Sequence, residues 1–180
     1  DPTCGSGAFL FAALNILEPL YNACLQRMES YTQEGTKGKY KFFEKVCEQV
    51  RAPIHPNLKY FIYKNIILNN LYGVDIMNEA VEIAKLRLFL KLMSCVDPDY
   101  NKPNLGLEPL PDIDFNIRCG NTLVGFVTQE ELSDALTFTV DGLLKKPELK
   151  EKMQVVADAF NQFKHIQLTY GDDAASFHTA

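Results

Sequence analysis

The chain has 180 residues, 47% of them hydrophobic, and a formal net charge of −5. That length suits one domain burying about two-thirds of its unfolded surface, while the acidic balance argues against this piece being a principal DNA-binding surface, which would carry a basic patch. Five scattered cysteines and three distant histidines give neither a disulfide framework nor a metal site, and with no secretory leader or apolar span long enough for a membrane helix a reducing intracellular setting is expected.

The chain opens on Asp1-Pro2-Thr3-Cys4-Gly5-Ser6-Gly7-Ala8-Phe9-Leu10. This is an acidic residue, a tight turn and two glycines one residue apart, followed at once by an apolar helical pattern. Glycine permits positive φ and close approach of a ligand. A helix start offers free N–H groups and a positive dipole end to an anion. A carboxylate in the same loop can accept from an amine or hydroxyl, so the loop suits a ligand with both charges, such as the amino-acid end of S-adenosylmethionine. An ordinary turn fits the same spacing. A loop that follows a strand needs that strand, so the chain is expected to be a piece of a longer protein, cut just after its first core strand.

Residues 8–31 predict a long helix, with Leu10, Leu14, Leu17, Tyr21, Cys24, Leu25 and Met28 at helical spacing, kinked or divided by Pro19. A loop is expected over 33–39, a short helix over 42–50 and a third over 58–69, with Leu58, Phe61, Ile62 and Ile66 on one face. Lysines 37, 39, 41, 45, 59 and 64 enrich this insert and read as a solvated face rather than a DNA contact. Residues 71–76 predict a buried strand ending at Asp75, and 78–95 a helix. A four-proline loop over 97–112, a second strand over 115–119 and a Gly120-Asn121 tip follow. Helices are expected over 129–136 and 147–166, the second with Val155, Val156, Ala159, Phe160 and Phe163 as its apolar side, and a frayed tail from Tyr170. Strand, acidic tip and helix make part of a doubly wound α/β pattern, in which ligands sit at the carboxyl ends of strands.

Three stretches carry a resemblance to a known family. The opening loop resembles the cofactor loop of adenine-specific (N6) DNA methyltransferases, particularly fused restriction–modification enzymes of the type IIG kind. Asn69-Asn70-Leu71-Tyr72-Gly73-Val74-Asp75-Ile76 resembles the second motif of that family, and Cys119-Gly120-Asn121-Thr122-Leu123-Val124-Gly125 the third, in the family's order. The resemblance implies a partial Rossmann-like S-adenosylmethionine-dependent fold over 1–126, with a helical insert at about 33–70, then a helical extension over 127–180. It implies a cytoplasmic enzyme that methylates adenine in double-stranded DNA, with the DNA held by parts outside this chain and no membrane partner.

The same resemblance implies a cofactor-binding set of Asp1, Thr3, Cys4, Gly5, Gly7, Asp75, Ile76 and Asn121. Asp1 would meet the methionine end. Asp75, a carboxylate at a strand tip, can accept from a ribose diol, or else cap the following helix. Ile76 would pack on the adenine ring or simply belong to the core. Asn121 would accept from the adenine amino group or serve its own turn. For Cys4 the resemblance implies a packing role, because adenine-N6 transfer needs no covalent enzyme intermediate, and no basic neighbour adjoins it to activate the thiol.

The family's catalytic Asn/Asp-Pro-Pro-aromatic motif has no match, because the sequence holds no Pro-Pro pair. Asp97-Pro98-Asp99-Tyr100 lies between the second and third motifs and after a helix, so it is read as a loop start. No catalytic residue is assigned, and the chain alone is expected not to methylate. The acid pairs Asp112/Asp114 and Asp172/Asp173 read as solvated. A methyltransferase for RNA, protein or a small molecule, and a non-catalytic scaffold subunit, are the alternatives.

Overall fold

The computed structural model describes residues 1–34, 39–52, 55–101, 111–126, 128–137 and 140–169. Element order is α1 (Ala8–Glu34), α2 (Lys41–Arg51), α3 (Leu58–Asn70), β1 (Gly73–Asp75), α4 (Asn78–Met93), β2 (Ile117–Cys119), α5 (Gln129–Thr137) and α6 (Val140–Thr169). The described residues are therefore mostly helical around a small parallel sheet. In it Gly73 pairs with Ile117, Val74 with Arg118 and Asp75 with Cys119. The loop before α1 lies along the other edge of β1. The Asp1 nitrogen donates to Tyr72 O at 2.8 Å, and Val74 N donates to Asp1 O at 2.9 Å. That pair of bonds flanking Gly73 is the parallel-ladder pattern.

Helices cover one face of the sheet. Successive strand residues point to opposite faces. Ile117 is buried among the helices, whereas Tyr72, Val74, Phe115 and Arg118 line an open cleft of about 410 Å³ with Asp1 and Pro2. α3 lies at the centre, packed between α1 and α4. It is buried nearly all round: Tyr60, Phe61, Ile62, Tyr63, Ile66, Ile67 and Leu68 are all enclosed. The expectation of one apolar face is corrected accordingly, and Leu58 is exposed. Lys64 is also corrected, since it is 3% exposed rather than on a solvated face. Its ammonium lies 6.0 Å from the centroid of the Tyr60 ring. At this turn α3 is packed between α1 and α4, which leaves Lys64 no solvated face.

Both ends of α3 are closed by asparagine. Asn57 Oδ1 accepts from Tyr60 N at 2.8 Å, an N-cap. At the other end Asn116 Nδ2 donates to the carbonyls of Ile67, Leu68 and Leu71 at 3.0–3.1 Å. These are helix-terminal carbonyls that would otherwise be buried without a donor. Asn116 also supplies the carbonyl that Gly73 N reaches at 2.8 Å, so one residue joins the end of α3 to the start of β1.

α1 is continuous through Pro19 and is not divided in two. Pro19 lies on the exposed side. Leu10 and Leu14 before it and Leu25 after it bury in one core cluster, and that shared packing offsets the roughly 3 kcal/mol a mid-helix proline costs. The reading that no span is apolar enough for a membrane is also corrected. By length and composition alone α1 qualifies, with mean hydropathy 1.4. Glu18 is its sole charge between Ala8 and Leu25. Leu10, Leu14 and Leu25 bury in the core cluster, while most of the apolar stretch is not buried.

The strands are shorter than expected at their starts and end where expected. α6 begins before Pro147, and its apolar side is narrower than expected. Val155 and Val156 are exposed, while Phe160 and Phe163 pack edge-on against Phe115 at 5.3 and 5.7 Å. Asp112 and Asp114 are exposed, as expected, and Asp114 also pairs with Lys85 at 2.7 Å, joining α4 to the approach to β2. Asp112 Oδ1 accepts from Asp114 N at 2.8 Å. Lys37, residues 102–110 of the proline-rich loop, Asp172, Asp173 and the tail from Tyr170 lie outside the described residues.

Candidate functional site

Three loops meet at the carboxyl ends of the strands. The first is 1–7. Asp1 Oδ1 accepts from Thr3 N at 3.1 Å, closing the opening turn, and Cys4 N donates to Val74 O at 2.9 Å. Gly5 and Gly7 have φ of +50° and +82°, conformations that cost a residue with a Cβ about 1–2 kcal/mol. Their surroundings differ. A Cβ on Gly7 would stand 3.1 Å from Ala84 Cβ, whereas nothing lies within 4 Å of one on Gly5. Gly7 thus lets the loop close on α4, and Gly5 faces open space.

The second loop is the tip of β1. Asp75 Oδ2 accepts from Gly5 N at 2.7 Å, and Oδ1 accepts from Met77 N at 3.0 Å. Bonds from the Met77 and Gly5 amides hold its carboxyl below the usual carboxylate range, against a weaker opposing effect of desolvation. The helix-cap reading of Asp75 does not hold in its simple form. The N-cap of α4 is Met77, and Asp75 shapes the turn before it. Ile76 is 71% exposed, so the plain-core reading fails. A large aliphatic side chain stands in solvent at the strand tip.

The third loop follows β2. Gly120 N donates to Asp75 O at 2.9 Å. Asn121 Oδ1 accepts from Leu123 N at 3.0 Å, so its side-chain oxygen already serves its own turn. Thr122 Oγ1 donates to Pro2 O at 2.6 Å and laces this loop to the first. Leu123 and Val124 stand exposed beside it.

The sequence-predicted residues therefore converge. Asp1, Thr3, Cys4, Gly5 and Gly7 share one loop, Asp75 is bonded directly to it, and Asn121 lies in a loop tied to both. Cys4 is buried. Burial first, and then the charge of Asp75, push its thiol up. That is the reverse of what an activated nucleophile requires. Sequence reasoning missed Arg87 and Thr122. Arg87 Nη1, on α4, donates to Ser6 O at 2.8 Å. With 81 positions between the two residues, no local signal could have found it. Among the described residues, no group of three His, Cys, Asp or Glu side chains is placed to hold a metal ion.

The family model described as MmeI, DNA-methyltransferase domain, matches residues 1–125. A Methanocaldococcus jannaschii protein named as a type II restriction enzyme and methyltransferase is 34% identical over 147 residues. That alignment covers 79% of this chain and 10% of the relative, so the chain spans about a tenth of the relative's length. No solved structure matches.

Proposed function

The chain belongs to the MmeI DNA-methyltransferase domain family, and from that premise we propose that it forms the cofactor-binding part of an enzyme that methylates N6 of adenine in a specific DNA sequence. It is a methyltransferase domain of a restriction–modification-like protein; the cofactor, the acceptor atom and the residue roles below are the proposal. In this reading the fold is Rossmann-like over 1–126, with the insert at about 33–70 and the extension at 127–180. Asp1 ends a third parallel strand beside β1, which its ladder bonds to Tyr72 and Val74 support. The setting is cytoplasmic.

One observation carries the reading. The carboxylate at the tip of β1 is bonded to the glycine loop that opens α1, which places an acceptor for hydroxyls beside donors for a carboxylate. S-adenosylmethionine needs both, and the residues fit it. The open space at Gly5 leaves room for the amino-acid end against the start of α1. Asp1 and Thr3 line the same loop. A carboxylate has about four acceptor positions, so Asp75 can bond ribose hydroxyls while keeping Gly5 and Met77. Ile76 would give the adenine an aliphatic platform, and Asn121, whose Oδ1 accepts from Leu123 N, would offer its second lone pair to the adenine amino group. Cys4 packs beneath the loop.

When bound, S-adenosylmethionine supplies an electrophilic methyl group on its sulfonium. The chain's contribution is position: the three laced loops hold the cofactor in one orientation, and catalysis by orientation needs no covalent group. Acceptor-side residues and double-stranded DNA contacts come from other parts of the protein, and the chain by itself is inactive.

The test is the full-length protein with methyl-tritiated S-adenosylmethionine and plasmid DNA, followed by nucleoside analysis. Label in N6-methyladenine is the expected result. Label in cytosine, RNA or protein would replace the adenine assignment, and absence of cofactor binding would remove the whole reading.

A further inference from the structure

Arg87 projects from α4 onto the glycine loop. Its Nη1 donates to Ser6 O at 2.8 Å and lies 3.3 Å from Ser6 Oγ. Its guanidinium carbon sits 4.9 Å from the centroid of the Phe11 ring, on the first turn of α1. One turn earlier on α4, Ala84 is the residue that Gly7 approaches. The same face of α4 thus supports both halves of the Ser6–Gly7 unit, by packing and by charge.

The peptide between Ser6 and Gly7 is planar and trans, so its C=O and N–H point in opposite directions. Both ends are held. Ser6 O accepts from Arg87, and Gly7 N donates to Cys4 O at 2.8 Å. Gly7, on its C-terminal side, has positive φ, so the φ that a flip of this peptide would change belongs to the residue type best able to accept it. A flip would break both bonds and reverse the carbonyl's direction at the start of α1. A bond to a charged donor is about twice as strong as a neutral one, so Arg87 is the stronger of the two restraints.

We infer that Arg87 is a positioning residue: it fixes the Ser6–Gly7 peptide so that the amides at the start of α1 are aligned for the carboxylate of the cofactor's amino-acid end. The inference rests on the proposed cofactor site. It assigns to α4 a role in recognising one end of the ligand, while Asp75 and Ile76 serve the other end.

The test is calorimetric titration of the full-length protein, wild type, Arg87→Gln and Arg87→Lys, with two ligands. One is S-adenosylmethionine. The other is 5′-methylthioadenosine, which keeps the adenosine and sulfur and lacks the amino-acid end. Arg87→Gln is expected to weaken S-adenosylmethionine at least tenfold and 5′-methylthioadenosine less than twofold. Arg87→Lys, which keeps stem and charge and so guards against a folding defect, is expected to show a smaller loss with the same selectivity. Unchanged S-adenosylmethionine affinity, or parallel loss of both ligands, would overturn the inference while leaving the cofactor site standing. A wild-type protein that binds neither ligand would overturn the cofactor reading, and the inference with it.

Discussion

Gly5 donates its backbone N–H to Asp75 Oδ2 at 2.7 Å across 70 positions of sequence. The bond joins the glycine loop to the tip of β1, and the Met77 amide holds the other carboxylate oxygen at 3.0 Å. Two backbone donors on one carboxylate make the ionised form the structural one.

That gives a pH prediction with a definite sign. The carboxyl of Asp75 is held below its ordinary value by the Met77 and Gly5 amides. Its contribution is therefore fully present above the ordinary carboxylate pKa and is lost as pH falls through the lowered folded value. Hydrogen exchange of the Gly5 amide should stay slow through the neutral range and lose its protection only in strong acid. In Asp75→Ala, which removes the acceptor, the exchange should be fast throughout, with weakened S-adenosylmethionine binding. An Asp75 carboxyl titrating at or above the ordinary value would contradict this.

The two loop glycines should respond differently to alanine. Gly7→Ala combines positive φ with a contact at 3.1 Å, and should lose about 2–4 kcal/mol, adding backbone strain to overpacking. Gly5→Ala meets nothing within 4 Å, and should lose only the roughly 1–2 kcal/mol of the backbone conformation. Its larger effect should fall on cofactor affinity. Denaturant unfolding of both variants checks the order.

Asn116→Ala removes the donor to three carbonyls at the end of α3. Leaving buried carbonyls unpaired should cost about 1–3 kcal/mol. Asn116→Asp should cost more, because a carboxylate would face those carbonyls with no hydrogen to offer. Equal stability of the wild type and the alanine variant in urea would show that water takes over the asparagine's role.

Ile76 separates stability from binding. At 71% exposure, Ile76→Ala should change stability by less than about 0.5 kcal/mol. It should weaken S-adenosylmethionine about fivefold to tenfold, by removing apolar area that the adenine would cover. A melting temperature that falls while affinity holds would return Ile76 to a packing role.

What could be read along the chain was what short-range chemistry governs. Two nearby glycines before an apolar helix, a strand stopping at Asp75, and a Gly120-Asn121 turn are local patterns, and each stands where it was expected. The helices over α1, α2, α3 and α4 were legible for the same reason, since periodicity within a few residues decides them. Partners were not legible. Asp75 finds Gly5, Asn116 finds the end of α3 and Arg87 finds Ser6 across 45–81 positions, and no spacing rule spans such gaps. Burial was misjudged where enclosure depends on neighbours. Lys64 lies inside because α1 and α4 flank α3, while Val155 and Val156, on a helix of equally plausible pattern, remain in solvent. The sequence by itself determined which groups could meet a charged ligand. The packing of helices against a two-stranded parallel sheet decided which of them do meet, because a side chain's surroundings come from elements distant in sequence that only folding brings within hydrogen-bond reach.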